Sequence, residues 1–278
     1  MTTPIDWDAF SRTMTRFVLE GQVRCAPLLQ DVGPIDRLVG RLVARETSPA
    51  SDRPQDYVAC VLGVRAFRLT IASIQLALSG YPDACPNLYR TVWEIAIRLV
   101  HISAYPIEGA LGYLLQGAFE ELGAARIDTS DSGVSSDRAR AIVARYAERY
   151  AGHEQRVLAR GLDPAFLRRH HGKLNFREVC RALDIERSYL VNYAWASGYV
   201  HEKNWATREF VSEAEGERLF EMGPVSEAQP EAIADALGML LFALEFAAVI
   251  VGDDGIADEA NAIHVRLGRR AKLAIAKR

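Results

Sequence analysis

Apolar residues recur at helical spacing along almost the whole chain, and the breaks between the runs are short. Asp56 to Ser79 sets Val58, Val61, Leu62, Leu69, Ile74 and Leu78 against a narrower polar face of Arg65, Arg68 and Gln75, the pattern of one long helix. Gly80-Tyr81-Pro82 ends it. Asp83 suits the cap of a second helix that tolerates Pro86 in its first turn, runs to about Ala104 and stops at Pro106. A third, from about Ile107 to Gly123, carries Leu111, Leu114, Leu115, Phe119 and Leu122. Residues 126–136 are small and polar and read as a loop within one bundle. Helices are expected again over 137–160, 164–170, 176–183 with Asn175 as cap, and 186–201.

The pattern breaks from Ala206 to Val225, where Arg208–Ser212 and Glu217–Met222 flank Gly216, so a short β-hairpin near 208–222 competes with a plain loop. Pro230 then opens an apolar helix to Val251, residues 252–255 turn the chain, and a last helix follows. The core of that apolar helix, Ala236 to Val251, is 16 residues long and includes Glu245, short of the about 20 apolar residues a membrane span needs. A central core helix is expected, with no membrane partner. The architecture is therefore all-α, a multi-helix bundle with at most one short hairpin. No repeat of solenoid length is visible, and one domain over 1–278 with its core at about 55–255 is expected.

Two of the apolar segments carry polar stripes. Arg90, Glu94 and Arg98, with His101 three residues on, share one face of the second helix; Tyr189, Tyr193, Ser197 and His201 share one face of the helix expected at 186–201. Leu88, Val92, Trp93, Ile95, Ile97, Leu99 and Val100 leave the first stripe little room for a solvated face. Two accounts fit it. Glu94 can ladder to Arg90 and Arg98 as a buried network that fixes register, or it can orient Arg90 to grip an anion. Gly198 lets a backbone or ligand come close to Ser197 and His201, but a Ser–His nucleophile there has neither a strained elbow nor an evident orienting acid.

Composition narrows the options. Across 278 residues the net charge is −3, which argues against a protein built mainly to coat nucleic acid. Charge is nevertheless uneven, with 12 cations to 6 acids over 138–187, 8 acids to 3 cations over 202–231, and a basic final helix. The basic segments read first as solvated faces, and second as surfaces for phosphates. Lys occurs only at Lys173, Lys203, Lys272 and Lys277, a bias that first suggests genome composition. Cys25, Cys60, Cys85 and Cys180 form no C-x-x-C pair and suit small buried side chains in a reducing cytoplasm, and no secretory leader is recognisable, so a cytoplasmic protein is expected. The six histidines form no chelating pattern, and no phosphate-loop or dinucleotide glycine motif occurs, so neither a metal nor a cofactor is implied.

The run from Gly80 through Arg90-Thr91-Val92-Trp93 to Glu94, followed by Tyr193-Ala-Trp-Ala-Ser197 and on to His201, resembles a family of uncharacterised, mostly bacterial all-helical proteins. Its pattern is an R-[ST]-x-x-E helix paired with a Y-x-x-x-S-x-x-x-H helix, and the similarity covers about 55–255. The resemblance implies a fold and a site, and no reaction. Some helical nucleases and toxin-type domains also place Arg and His on neighbouring helices, but their R-x(4–6)-H spacing is absent here.

The site expected is a polar pocket of Arg90, Glu94, Tyr193, Ser197 and His201. The first functional reading is a ligand-sensing or interaction module for a small anionic or nucleotide-like group. The alternative is a metal-independent nuclease or hydrolase of stress or phage-defence type that uses His201 and Arg90, with Ser197 and Glu94 as further catalytic candidates. Nucleic acid would then meet 138–187 and the C-terminal helix, and a homodimer stays open.

Overall fold

The computed structural model describes residues 7–45, 47–48, 51–131, 136–193, 196, 211–214, 217–220 and 228–275. Five long helices open the chain: α1 (Trp7–Leu29), α2 (Val32–Val43), α3 (Pro54–Leu78), α4 (Cys85–Ala104) and α5 (Pro106–Asp131). A 3-10 turn, Pro82–Ala84, joins α3 to α4. After α6 (Ser136–Leu158) come short pieces: α7 (Pro164–Leu167), a π turn (Arg168–Gly172), α8 (Phe176–Ala182), α9 (Glu186–Ser188) and a second π turn (Tyr189–Tyr193). Strands β1 (Val211–Ala214) and β2 (Glu217–Phe220) pair antiparallel, with Val211 opposite Phe220 and Ala214 opposite Glu217. Helices α10 (Gln229–Val251) and α11 (Asp254–Ile275) complete the described chain. The fold is all-α apart from the one hairpin, which falls where the pattern breaks.

Helix α10 buries one broad half of its circumference, with Ile233, Leu237, Leu240, Leu241, Leu244, Ala248 and Val251, while Glu231, Asp235, Glu245 and Val249 lie on the half that is partly or fully exposed. It is enclosed by α3, α4 and α11, with α1 alongside. By length and composition α3 and α10 could each cross a membrane, but 50% and 61% of their apolar windows lie inside the bundle. The main core also takes in Cys25 and Leu28 of α1, Ile35, Leu38 and Leu42 of α2, and Ile256, Ile263 and Leu267 of α11. All four cysteines are free and buried.

Both ends of α10 are tied to its neighbours by polar groups that satisfy helix termini. Gln229 is fully buried; its Nε2 donates to the Ala77 and Leu78 carbonyls at the end of α3, and its Oε1 accepts from Arg24 of α1. At the other end Gly252 takes the left-handed conformation (φ 70°), and Arg45 and Arg53 donate to the Val251 and Ile250 carbonyls. Asp31, 4% exposed, accepts from Arg270 at 2.5 Å and so fastens α11 to the α1–α2 turn.

Three expected boundaries move. Helix α5 continues to Asp131, through most of the stretch read as a polar loop, because polarity without Gly or Pro does not break a helix; residues 132–135 lie outside the described chain. Helix α7 stops at Leu167 and passes into a π turn, although the pattern suggested a helix to His170. Within the helix expected at 186–201, an α turn passes into a π turn over Tyr189–Tyr193, from which both tyrosine rings reach Trp93; of the rest, only Ala196 is described, and it is helical.

The first π turn seats directly on α5 through two glycines. A Cβ on Gly112 would stand 2.9 Å from the Leu167 carbonyl oxygen and 3.0 Å from the Gly172 nitrogen, and one on Gly172 would stand 2.6 Å from the Gly112 carbonyl oxygen. At Gly63 the nearest obstacle, at 2.7 Å, is only the tip of the Leu42 side chain. Gly112→Ala is therefore expected to lose about 1 to 3 kcal/mol, backbone having no room to yield. Gly63→Ala is expected to stay within about 1 kcal/mol, its helix-propensity gain offsetting a small repacking. Urea denaturation of the two variants measures the contrast.

Candidate functional site

Helix α4 divides its surface by spacing. Val92, Ile95, Ala96, Leu99 and Ile102 face the main core, while Trp93 and Ile97 join Cys180 in a smaller cluster with Phe176, Tyr189 and Tyr193 packed on it. At 100° per residue, Arg90, Glu94, Arg98 and His101 are left on the side away from the main core. Partners for this stripe come from the chain between Arg168 and Tyr193, so it is a buried-to-half-buried seam between α4 and the two π turns.

At one end, Arg90 Nε donates to Glu94 Oε1 at 3.2 Å and Nη2 donates to the Tyr193 hydroxyl at 2.7 Å. The guanidinium also lies 4.7 Å from the centre of the Tyr193 ring. Side-chain exposures of 22% for Arg90 and 30% for Glu94 show that the pair reaches solvent. Beneath it is an aromatic floor: Tyr189 and Tyr193 stack at 5.0 Å, Trp93 meets both, and Phe176 packs edge-on to Trp93. Burial raises the Tyr193 phenol above its ordinary pKa despite the opposing pull of Arg90.

At the other end, Arg98 does not complete a ladder with Glu94. Its Nη1 donates to the Gly172 carbonyl at 3.0 Å, and its guanidinium lies over the Tyr113 ring at 5.0 Å. Burial pulls its pKa down, opposed by Tyr113, Glu94 and Glu120. One turn on, His101 Nε2 and His171 Nδ1 are 3.1 Å apart, with the Tyr105 ring beside both. A hydrogen bond between two imidazoles needs one donor and one acceptor, so doubly protonated rings cannot keep it. His170 turns the other way, onto Phe166 at 4.4 Å.

Of the five residues expected to converge, Arg90, Glu94 and Tyr193 do so, and Ser197 and His201 lie outside the described chain. Tyr189 of the second polar stripe joins Arg90, Glu94 and Tyr193, and His171, Gly172 and Phe176, which the pattern did not single out, complete the seam. His171 and Gly172 have no signal of their own, because the π turn that aims them depends on the Gly112 contact. The cations of 138–187 are in large part engaged within the chain: Arg149 pairs with Glu121, Arg177 and Arg181 share Glu186, and Arg168 lies over Phe119. Among the described residues no group of three or more His, Cys, Asp or Glu is placed to hold a metal ion.

The histidine pair gives the seam a pH dependence. Burial first, then His171 and Arg98, hold His101 down to about 4, and His171 is lowered as well. The unfolded chain takes up a proton near 6.5 that folded His101 refuses until about 4, so stability is expected to fall as pH drops through that window. His153, also held at about 4, adds to the fall, while Asp235, raised to about 6 chiefly by burial, opposes it. Urea midpoints between pH 7 and 4 should therefore decline less steeply for His101→Gln than for the native chain. Equal slopes would show that the pair does not titrate as described.

No curated protein and no solved structure matches the chain. A family match does exist, and it runs from the first turn of α3 through α9, both π turns and the first hairpin strand into the second, hence over the whole described seam. By that match, over residues 56–218, the chain belongs to a family of unknown function, DUF5677.

Proposed function

We propose that the protein is a cytoplasmic ligand-sensing module whose Arg90 end of the seam takes a small anionic or nucleotide-like group. The observation that carries this reading is the position of Arg90. Its guanidinium links α4 to the second π turn, reaches solvent, and sits above a floor of stacked aromatic rings. A planar ring can stack against such a floor while an oxyanion takes over a guanidinium hydrogen bond now made to Glu94 or Tyr193. Because Tyr193 belongs to the π turn, exchanging that bond changes what holds the turn to α4. Occupancy then becomes a change in how firmly residues 189–193 are docked, which is what a sensor requires. The engagement of most cations of 138–187 within the chain favours a small anion over a polyanion.

Isothermal titration with inorganic phosphate and a panel of mononucleotides tests the reading. The native chain should bind at least one of them, and Arg90→Gln should weaken it by about tenfold or more, the scale of a lost charge-assisted bond. Glu94→Gln should strengthen anion binding, because it removes a carboxylate that competes for the same guanidinium. Circular dichroism checks that each variant is folded. Binding that is unchanged in Arg90→Gln, or a panel that fails on the native chain while Arg90→Gln merely melts earlier, would show the seam to be structural only.

A further inference from the structure

A second concavity lies between α2 and α3, lined by residues that the polar seam does not use. It is an open groove of about 710 Å³, within the range of small-molecule sites. Its walls are aliphatic: Val43 is 52% and Val61 40% exposed, with Val64 and Leu69 beside them. Two such valines turned toward water in a groove are apolar surface left uncovered by the fold.

Arg65 and Arg68 border the same groove, exposed and one turn apart on α3. Among the described residues neither makes an ion pair, a hydrogen bond or a ring contact, which sets them apart from Arg41, Arg45, Arg53, Arg90 and Arg98. Like charges three residues apart repel, and a single anion placed between them removes that cost. On α3, Val61 and Val64 are followed by Arg65 and Arg68, so the aliphatic wall passes into the cationic pair within the about 10 Å that the helix rises from Val61 to Arg68.

We propose that the groove between α2 and α3 binds a free medium-chain carboxylate. The alkyl chain lies along Val43, Val61 and Val64, and the head group lies between Arg65 and Arg68. Charge complementarity selects this occupant: two adjacent guanidiniums match one compact anionic head, and the aliphatic walls match a chain without polar groups. A neutral alcohol of the same length would satisfy the walls alone. A short acid would satisfy only the arginines.

Isothermal titration of the full chain with decanoate, below its micellar concentration, is the test, with decanol, butyrate and phosphatidylglycerol vesicles as comparisons. Decanoate should bind more tightly than either decanol or butyrate. The double variant Arg65→Gln/Arg68→Gln should weaken it about tenfold or more, and Val61→Asp should weaken it too, both being exposed changes that leave the fold intact by circular dichroism. Arg90→Gln should leave decanoate binding unchanged, which separates this site from the seam. Equal affinity for decanol, indifference to the double variant, or capture by the vesicles without binding of dispersed decanoate would overturn the proposal, the last in favour of a membrane surface.

Discussion

Enclosure of α10 is the constraint from which the rest of the structure follows. A helix whose apolar stripe takes up half of its circumference needs more than one neighbour to cover it, and only the opposite half, with Glu231, Asp235, Glu245 and Val249, is left to water. Helices α3, α4 and α11 supply that cover, with α1 alongside; Arg45 and Arg53 take up carbonyls at its C-terminal end, and Gln229 at its N-terminal end takes up carbonyls that close α3. Each wall helix thereby commits one face to α10. For α4 the committed face is Val92, Ile95, Ala96, Leu99 and Ile102, which turns Arg90, Glu94, Arg98 and His101 away from the main core.

Those turned-away residues need partners, and the short pieces from Arg168 to Tyr193 supply them. What holds these pieces in place is partly steric: Gly112 and Gly172 remove the two Cβ atoms that would keep the π turn off α5. With the turn seated, the Gly172 carbonyl meets Arg98 and His171 meets His101. The π geometry at both turns is the kind of local irregularity that recurs at functional positions, and here it aims side chains that a regular helix would point elsewhere. The seam combines an end where a buried imidazole, His101, meets the partly buried His171, and an end where Arg90 and Glu94 touch water.

This division bears on what the protein can do. The His101–His171 hydrogen bond and the Arg98 bond to Gly172 fasten the π turn to α4. The open end keeps a guanidinium whose two described hydrogen bonds go to groups that an anion can displace. Binding energy at such a place would go into rearranging contacts between two segments, as the proposed sensing role requires. Between α2 and α3, the aliphatic groove, whose two arginines have no partner among the described residues, is a different kind of surface, one where charge and apolar area lie side by side.

The helical class, the central helix and the site's α4 half were legible in the chain because they depend on local periodicity. Val58 to Leu78 and Ile233 to Val251 repeat with a helix's spacing, and Arg90 to Glu94 is a four-residue interval that any helix brings together. Even the hairpin was marked by the failure of that period around Gly216. Three things were settled only by tertiary structure. Arg98 abandons Glu94 for the Gly172 carbonyl because a segment some seventy residues away offers a better-enclosed acceptor. His101 meets His171 rather than a neighbour on its own helix. Tyr189 and Tyr193 pack their rings on Trp93 of α4, nearly a hundred residues away. Periodicity says which face of a helix is polar; what comes to cover that face is decided by packing between distant segments, which no local pattern encodes.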